Sequence, residues 1–567
     1  MTRVPMVGTR KHKVVVMKDL APSPHASYHE SVERRIRAYV GAPSCTAAVK
    51  NLLPAILVLW YLDLEPARGP LQRCYARSPR GGRPWDPIIL LRSYLLGLLL
   101  KSNITDLVNR LRAEPLLRIV VGLPDLVSDG ERKSPGVGTF YDFLHRMHDG
   151  PHDTFRAGVV RPSQTDRRRV REPRKLESKA AKKTYGKKVR GRRKRKKDAE
   201  AEAAKAETES MALTEKIVRE LQCTEACANP QDYKTRLNTL LLELAVKVSA
   251  EKGLVGETKS IVASGDGSAL PTGASGHGKK DCGHGRRERC DCPRRYADPD
   301  AQRGFDAFRK CYYFGHHFYE IGTGAAGHDL PLFISLDAAN VPENGMALRA
   351  LDSLNKLYSE QTQGWHLGTV ILDAGHDNQA THRYLIAHGA TPVIPLSCSA
   401  PALHPTRPEV KLSPKGIPLC EGDAEMAAWG SAGEGRPLFI CPVKAGKLAR
   451  CPMAPKGSSD WACHPEMKYG PAISVKTADN PRLFPAIQRN SKKYAELYRK
   501  RTESERSNSV KKETFDLLGA HHRRKSFWFF RLIGIAILQH AKAWVAGVDI
   551  DEFLALLLGT TKDAKTA

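Results

Sequence analysis

No apolar run in this sequence of 567 residues is expected to cross a bilayer. The two strongest, residues 51–64 and 527–548, fail for different reasons: the first is too short, and the second carries Arg531, Gln539, His540 and Lys542. No secretory leader is expected, and thirteen cysteines is an odd number, so no disulfide framework is expected either. The expectation is a reduced, soluble, intracellular chain with no membrane contact. Acidic residues are also scarce: 61 stand against 90 Lys and Arg, a formal net charge of +29. The excess is concentrated, since residues 161–197 hold 19 Lys and Arg against 3 Asp and Glu. A polyanion, nucleic acid above all, is the partner such a stretch implies.

The stretch 161–197 has too few apolar residues to fold alone. It carries Arg192, Arg193, Lys194 and Arg195, which read as phosphate contacts, and it runs into an Ala/Glu/Lys-rich segment, 198–221, expected as an exposed helix. The length calls for three or four domains. We place boundaries at 1–160 (helical, candidate DNA-binding), 161–250 (basic linker and helix), 251–395 (first part of an α/β core), 396–484 (insertion) and 485–567 (helices completing the core).

In the first region, Asp86 and Pro87 are fit to cap and open a helix to residue 100, and Lys101, Ser102 and Asn103 break it. Further helices are expected over 104–113, 115–121 and, capped by Thr139, 140–147. Residues 1–50 carry little pattern. Short helices with tight turns build either a helix-turn-helix DNA reader or a bundle used for dimer contacts. From residue 259 the texture becomes strand-like. Residues 260–266 end on Asp266, 311–320 and 330–336 are apolar, 368–373 end on Asp373, and 391–395 close the series; helices are expected over 342–358 and 378–388. Asp377 is the rival of Asp373, though it falls after its strand. Residues 396–484 are irregular, and 527–548 should be a buried helix.

If residues 498–512 are helical, Tyr498, Arg501, Glu505 and Lys512 fall within roughly 60° around the axis, while Glu503 lies about 200° from Glu505. That stripe is either a solvated charged face or a metal-ligating acid set among phosphate contacts. The spacing Tyr-x2-Arg-x3-Glu-x6-Lys resembles the signature helix of insertion-sequence DDE transposases. Gly82-Arg-Pro-Trp-Asp-Pro87, and the run from Arg294 through Asp298, Asp300 and Asp306, are similar to that group as well.

The resemblance implies an α/β fold: a ribonuclease H-like mixed sheet flanked by helices, interrupted by a β-rich insertion domain and preceded by an all-α region. In that fold the first and fourth strands are neighbours, which brings Asp266 beside Asp373. It further implies that Asp266, Asp373 and Glu505 hold two Mg²⁺ (or Mn²⁺) ions, Asp266 bridging both, while Tyr498, Arg501 and Lys512 handle DNA near the cleavage point. The expected partners are double-stranded DNA, as element ends and target, and a second copy of the chain on that DNA. The location would be cytoplasmic, at the nucleoid of a prokaryotic host. Two rivals share these features: a catalytically silent regulator derived from a transposase, and a nuclease of the same fold without strand transfer. Separately, Cys282, His284, Cys290 and Cys292 could form a tetrahedral Zn²⁺ site or a loop of reduced thiols, and Cys420, Cys441, Cys451 and Cys463 are a second, wider-spaced set.

Overall fold

A computed structural model describes residues 23–41, 43–75, 84–124, 134–149, 168–169, 214–218, 233–280, 294–433, 435–456 and 463–560. The calls on Arg192, Arg193, Lys194 and Arg195, and on the Cys282, His284, Cys290 and Cys292 set, lie outside these residues.

The centre is a mixed sheet of strands β1 (Ile261–Pro271), β2 (Gln302–Asp306), β3 (Cys311–Thr323), β4 (Leu330–Ala338), β5 (Leu367–Ile371) and β6 (Thr391–Val393). Spatially they run β4-β3-β1-β5-β6, and β2 pairs with the first half of β3 while β4 pairs with the second. β1 and β3 are antiparallel, and β1 and β5 are parallel. The first and fourth of the strands expected from sequence are therefore neighbours, and the order is consistent with a ribonuclease H-like arrangement.

One detail corrects the sequence reading. Asp266 does not end its strand, because β1 continues five residues further, held by antiparallel pairing to β3. Its parallel pairing to β5 stops at Ser264 and Ile371. Asp266 and Asp373 thus both lie just beyond the point where the two parallel strands part.

The N-terminal helices are α1 (His25–Tyr39), α2 (Pro43–Trp60), α3 (Arg68–Gln72), α4 (Pro87–Leu99), α5 (Ile104–Ala113), α6 (Pro115–Val121) and α7 (Val137–Asp149). Caps place several of them as expected: Asp86 accepts from Ile88 N at 2.8 Å, and Asn103 from Asp106 N at 2.9 Å. α7 begins ahead of Thr139, and α1 and the first half of α2 arise where little pattern was read. α2 is long and apolar enough to cross a membrane, but here the side chains of Leu52, Leu53, Ile56, Leu57 and Leu59 are buried in the core.

α8 (Tyr233–Leu241) passes through a single wide turn into α9 (Lys247–Glu251), and Asn238 brackets the backbone of Ile334 on β4 with two hydrogen bonds. Residues 214–218, expected exposed, instead bury Thr214 and Ile217 against Asn344 and Gly345 at the start of α10 (Glu343–Gln361). After α11 (Gln379–Ala387) comes the insertion, whose short strands β7 (Leu403–His404), β8 (Arg407–Lys411), β9 (Ala427–Ser431), β10 (Pro437–Ile440) and β11 (Ala472–Ser474) surround a small core of Val410, Leu412, Met426, Phe439 and Phe484.

The last helices are α12 (Lys492–Arg499), α13 (Thr502–Glu513), α14 (Lys525–Trp544) and α15 (Ile550–Leu558). α14 is the buried helix foreseen at 527–548, and it packs between β4 on one side and α4 and α7 on the other. A Cβ at Gly534 would stand 2.7 Å from Leu98, so this glycine lets α14 and α4 approach. The N-terminal helices and the sheet consequently share one hydrophobic core.

Candidate active site

Residues 498–512 do not form one helix. Lys500 N bonds to Leu497 O and Arg501 N to Tyr498 O, a tightened turn that separates α12 from α13. The hydroxyls of Thr502 and Ser504 donate back to Arg499 O and Arg501 O, offering those carbonyls partners outside a regular helix. Tyr498 therefore ends one helix, stacked 5.8 Å from Tyr494, while Arg501 opens the next.

That bend aims the Arg501 guanidinium at the acids. It bonds to Glu505 one turn along α13 and stands 3.7 Å from Asp266 Oδ1. Asp373 and the Tyr498 phenol lie within its electrostatic reach. Lys512, half-buried, feels Asp266 and Asp306 as well as the like charge of Arg309. All six sequence-predicted residues of the core thus lie around the end of the sheet where β1 and β5 part.

The acids differ in state. Burial, followed by the nearby charge of Glu343, pushes the Asp266 carboxyl up to about 7, against the lowering effects of Arg501 and of Asn508, whose amide donates to Oδ2 at 2.9 Å. Burial alone would also raise Asp373. The His376 ring, 2.6 Å away, together with Arg501 and the Gly375 N–H, outweighs it and holds Asp373 below the usual carboxylate range. Beneath them the Tyr319 hydroxyl is buried with no partner among the described residues, in the field of Glu343, Asp266 and Asp373. It occupies the space a side chain at Gly265 would need.

Glu343, Asn508 and Tyr319 were not found from sequence. Glu343 reads there as an ordinary acid in the first turn of a helix. Asn508 alone had a signal, lying one turn beyond Glu505 on the charged stripe.

Asp377, the rival second acid, has a different job. It is buried and accepts from Ser397 N at 2.9 Å, Arg482 Nε at 3.0 Å and the His382 ring at 3.1 Å, with Arg489 at 3.7 Å. It ties both ends of the insertion to the core and is engaged by the cations of that segment. Asp298 uses one oxygen on Thr272 and His316, while its Oδ1 is buried without a hydrogen-bond partner among the described residues.

The hard carboxylate oxygens are the kind of donor that suits Mg²⁺ or Mn²⁺. Arg501 sits between them, and among the described residues no three of His, Cys, Asp or Glu stand close enough to hold an ion together. The same holds for Cys420, Cys441, Cys451 and Cys463, the wider-spaced candidate set, which among the described residues is not assembled: Cys463 meets Cys451 and lies near Cys441, without a fourth ligand closing around them.

No curated protein and no solved structure matches this chain. Residues 295–539, which include Asp373, the signature residues and Glu505 but begin downstream of Asp266, match the family model of the transposase DDE domain, and this supports reading the chain as a DDE transposase.

Proposed function

We propose that the chain is a DNA transposase that binds the ends of its own element, cleaves them by two-metal-ion hydrolysis and transfers the 3′-hydroxyl end to target DNA, as a dimer on DNA inside the cell. The observation that carries this reading is the convergence of Asp266, Asp373 and Glu505, from three distant parts of the chain, on one arginine. Four carboxylates, counting Glu343, act on this region, with Arg501 between them and Lys512 on its flank. At about 4 Å, two like charges repel by roughly 4 kcal/mol at an effective dielectric of 20, so such a site favours added positive charge.

Asp266, Asp373 and Glu505 would hold the ions. When bound, divalent cations lower the pKa of an attacking hydroxyl and stabilise the leaving oxygen. The protein's own part is positional. Asn508 fixes one oxygen of Asp266, His376 and Gly375 N–H fix Asp373, and Arg501 released from Glu505 is free to take a phosphate with its planar fork. Lys512 adds a point charge on the flank.

A consequence concerns pH. The Asp266 carboxyl, at about 7 when folded, lies above its ordinary value of 3.8. The cation-free fold therefore holds this proton more tightly than the unfolded chain. That stabilisation is complete below about pH 4 and is lost as pH rises through about 7. A cation needs the carboxylate, so Mg²⁺ should raise the unfolding temperature more at about pH 8 than at about pH 6. Asp266→Asn should erase the difference. Thermal unfolding with and without Mg²⁺ at the two pH values measures it, and an equal Mg²⁺ effect at both would remove Asp266 from the ligand set.

The function itself is tested by a strand-transfer assay with Mg²⁺, comparing wild type with Asp266→Ala. Joined product lost in the variant supports the transposase. Cleavage without joining identifies a nuclease, and DNA binding without either identifies a regulator.

A further inference from the structure

The tip of the β2–β3 hairpin exposes three aromatic rings within eight residues: Phe308 is 94% exposed, Tyr312 77% and Phe305 53%. Side chains of this size normally hide 150–250 Å² each, so presenting three together is unfavourable unless something covers them in use. Cations are interleaved with the rings, because Arg303, Arg309 and Lys310 are exposed on the same tip. The tip's acid, Asp306, is turned inward: its Oδ1 accepts from Phe308 N at 3.0 Å and Arg309 N at 3.1 Å, and its other oxygen lies 3.7 Å from the Arg309 guanidinium.

The tip is also held in shape. Lys310 takes a left-handed backbone, φ 52°, to close the turn, and the Asp306 bonds fix the opposite side. Phe305 and Tyr312 meet edge to face at 5.1 Å across the strand pair. Gly304 lies directly against the Ala339 carbonyl, where any side chain would clash, and this seats β2 against the end of β4. The rings are thus presented on a braced support. Its place is equally specific, since Lys512 lies in the field of Arg309 and Asp306 on one side and of Asp266 on the other. The aromatic tip borders the acid cluster.

We infer that this hairpin tip is a binding site for single-stranded DNA, in which Phe308 and Tyr312 stack on unpaired bases next to the reacting phosphate while Arg309 and Lys310 hold the neighbouring phosphates. Aromatic faces with interspersed cations suit bases of any sequence, since every base offers a π-face. A duplex hides those faces; a strand end opened for cutting and joining presents them. The inference rests on DNA being the substrate of the adjoining site, as proposed above.

The test uses the full-length protein and two probes, a blunt duplex and the same duplex with a short oligothymidine overhang containing one iodouracil. Wild type should prefer the overhang by about tenfold or more, the scale of one stacked base. Irradiation should crosslink the iodouracil to Phe308 or Tyr312. Phe308→Ala with Tyr312→Ala should lose the preference and the crosslink without lowering the unfolding temperature, because neither ring is buried. Arg309→Ala with Lys310→Ala should lower the slope of log affinity against log salt by about 1.4, for two single-strand phosphate contacts. If wild type shows no preference for the overhang, or the aromatic variant keeps it, the inference is wrong. It is equally wrong if that variant changes self-association and leaves DNA binding intact. A wild type that prefers the overhang through these rings yet neither cuts nor joins would overturn the catalytic reading alone.

Discussion

Glu505→Ala is expected to abolish strand cleavage, a loss of at least about a thousandfold, typical of removing a group that acts directly on the reaction. Glu503→Ala, two residues away, should leave the chemical step nearly intact. The two acids lie on the same helix and are nearly indistinguishable in composition, but their surroundings differ. The Glu505 side chain is about half exposed (49%) and faces Arg501 among the acids. Glu503 is buried on the other side of α13, its carboxyl packed on the backbone at Gly324 between β3 and β4. Burial raises its pKa, and its backbone partner is the Gly324 N–H. Its removal should therefore lower stability, by about 1–3 kcal/mol for a lost buried hydrogen bond. Steady-state cleavage and urea unfolding of both variants separate the effects. Were Glu503→Ala inactive while fully folded, and Glu505→Ala active, α13 would present its other face to the DNA.

Lys511→Met should destabilise the fold by about 3–5 kcal/mol, the usual result of leaving a buried charge without its partner. Lys511 is fully buried and paired with Glu320, also fully buried, on β3. Ser507 completes the knot, donating to Glu320 and accepting from Lys511 at 2.8 Å and from Gln539 of α14 at 3.1 Å. Glu320 is the cross-strand partner of Asp266 in the β1–β3 register. The pair thus fixes α13 against the strand beside the Asp266 strand, and with it the height of Glu505 over Asp266. Glu320→Leu combined with Lys511→Met should recover most of the stability, because no orphaned charge remains. Denaturant unfolding of the two single variants and the double variant gives the coupling. Additive losses in the double would show that the two charges do not depend on each other.

Much of this arrangement could be read from the chain, for identifiable reasons. Apolar runs that end on Asp266 and Asp373 mark strands in a sheet covered on both faces, and Asp86 with Pro87 marks a helix start by local chemistry alone. What escaped depends on tertiary context. β1 outlasts Asp266 because a second strand, β3, goes on pairing with it, which no periodicity in residues 261–271 reports. The break at Lys500 and Arg501 is set by hydroxyl back-bonds in a run with strong helical charge spacing. Lys511 reads as one more surface cation beside Lys512, and only the depth of α13 in the fold distinguishes them. Asp377 illustrates the converse: four residues from Asp373 in sequence, it is removed from the site by the arginines of a distant segment.

The most direct measurement is Mn²⁺ binding, by titration calorimetry or electron paramagnetic resonance, to wild type and to Asp266→Asn, Asp373→Asn and Glu505→Gln taken singly. If these three side chains share one cation site, each substitution should weaken binding by about tenfold or more while the fold is retained. Unchanged Mn²⁺ affinity in any one of the three would place that residue outside the site and contradict the account.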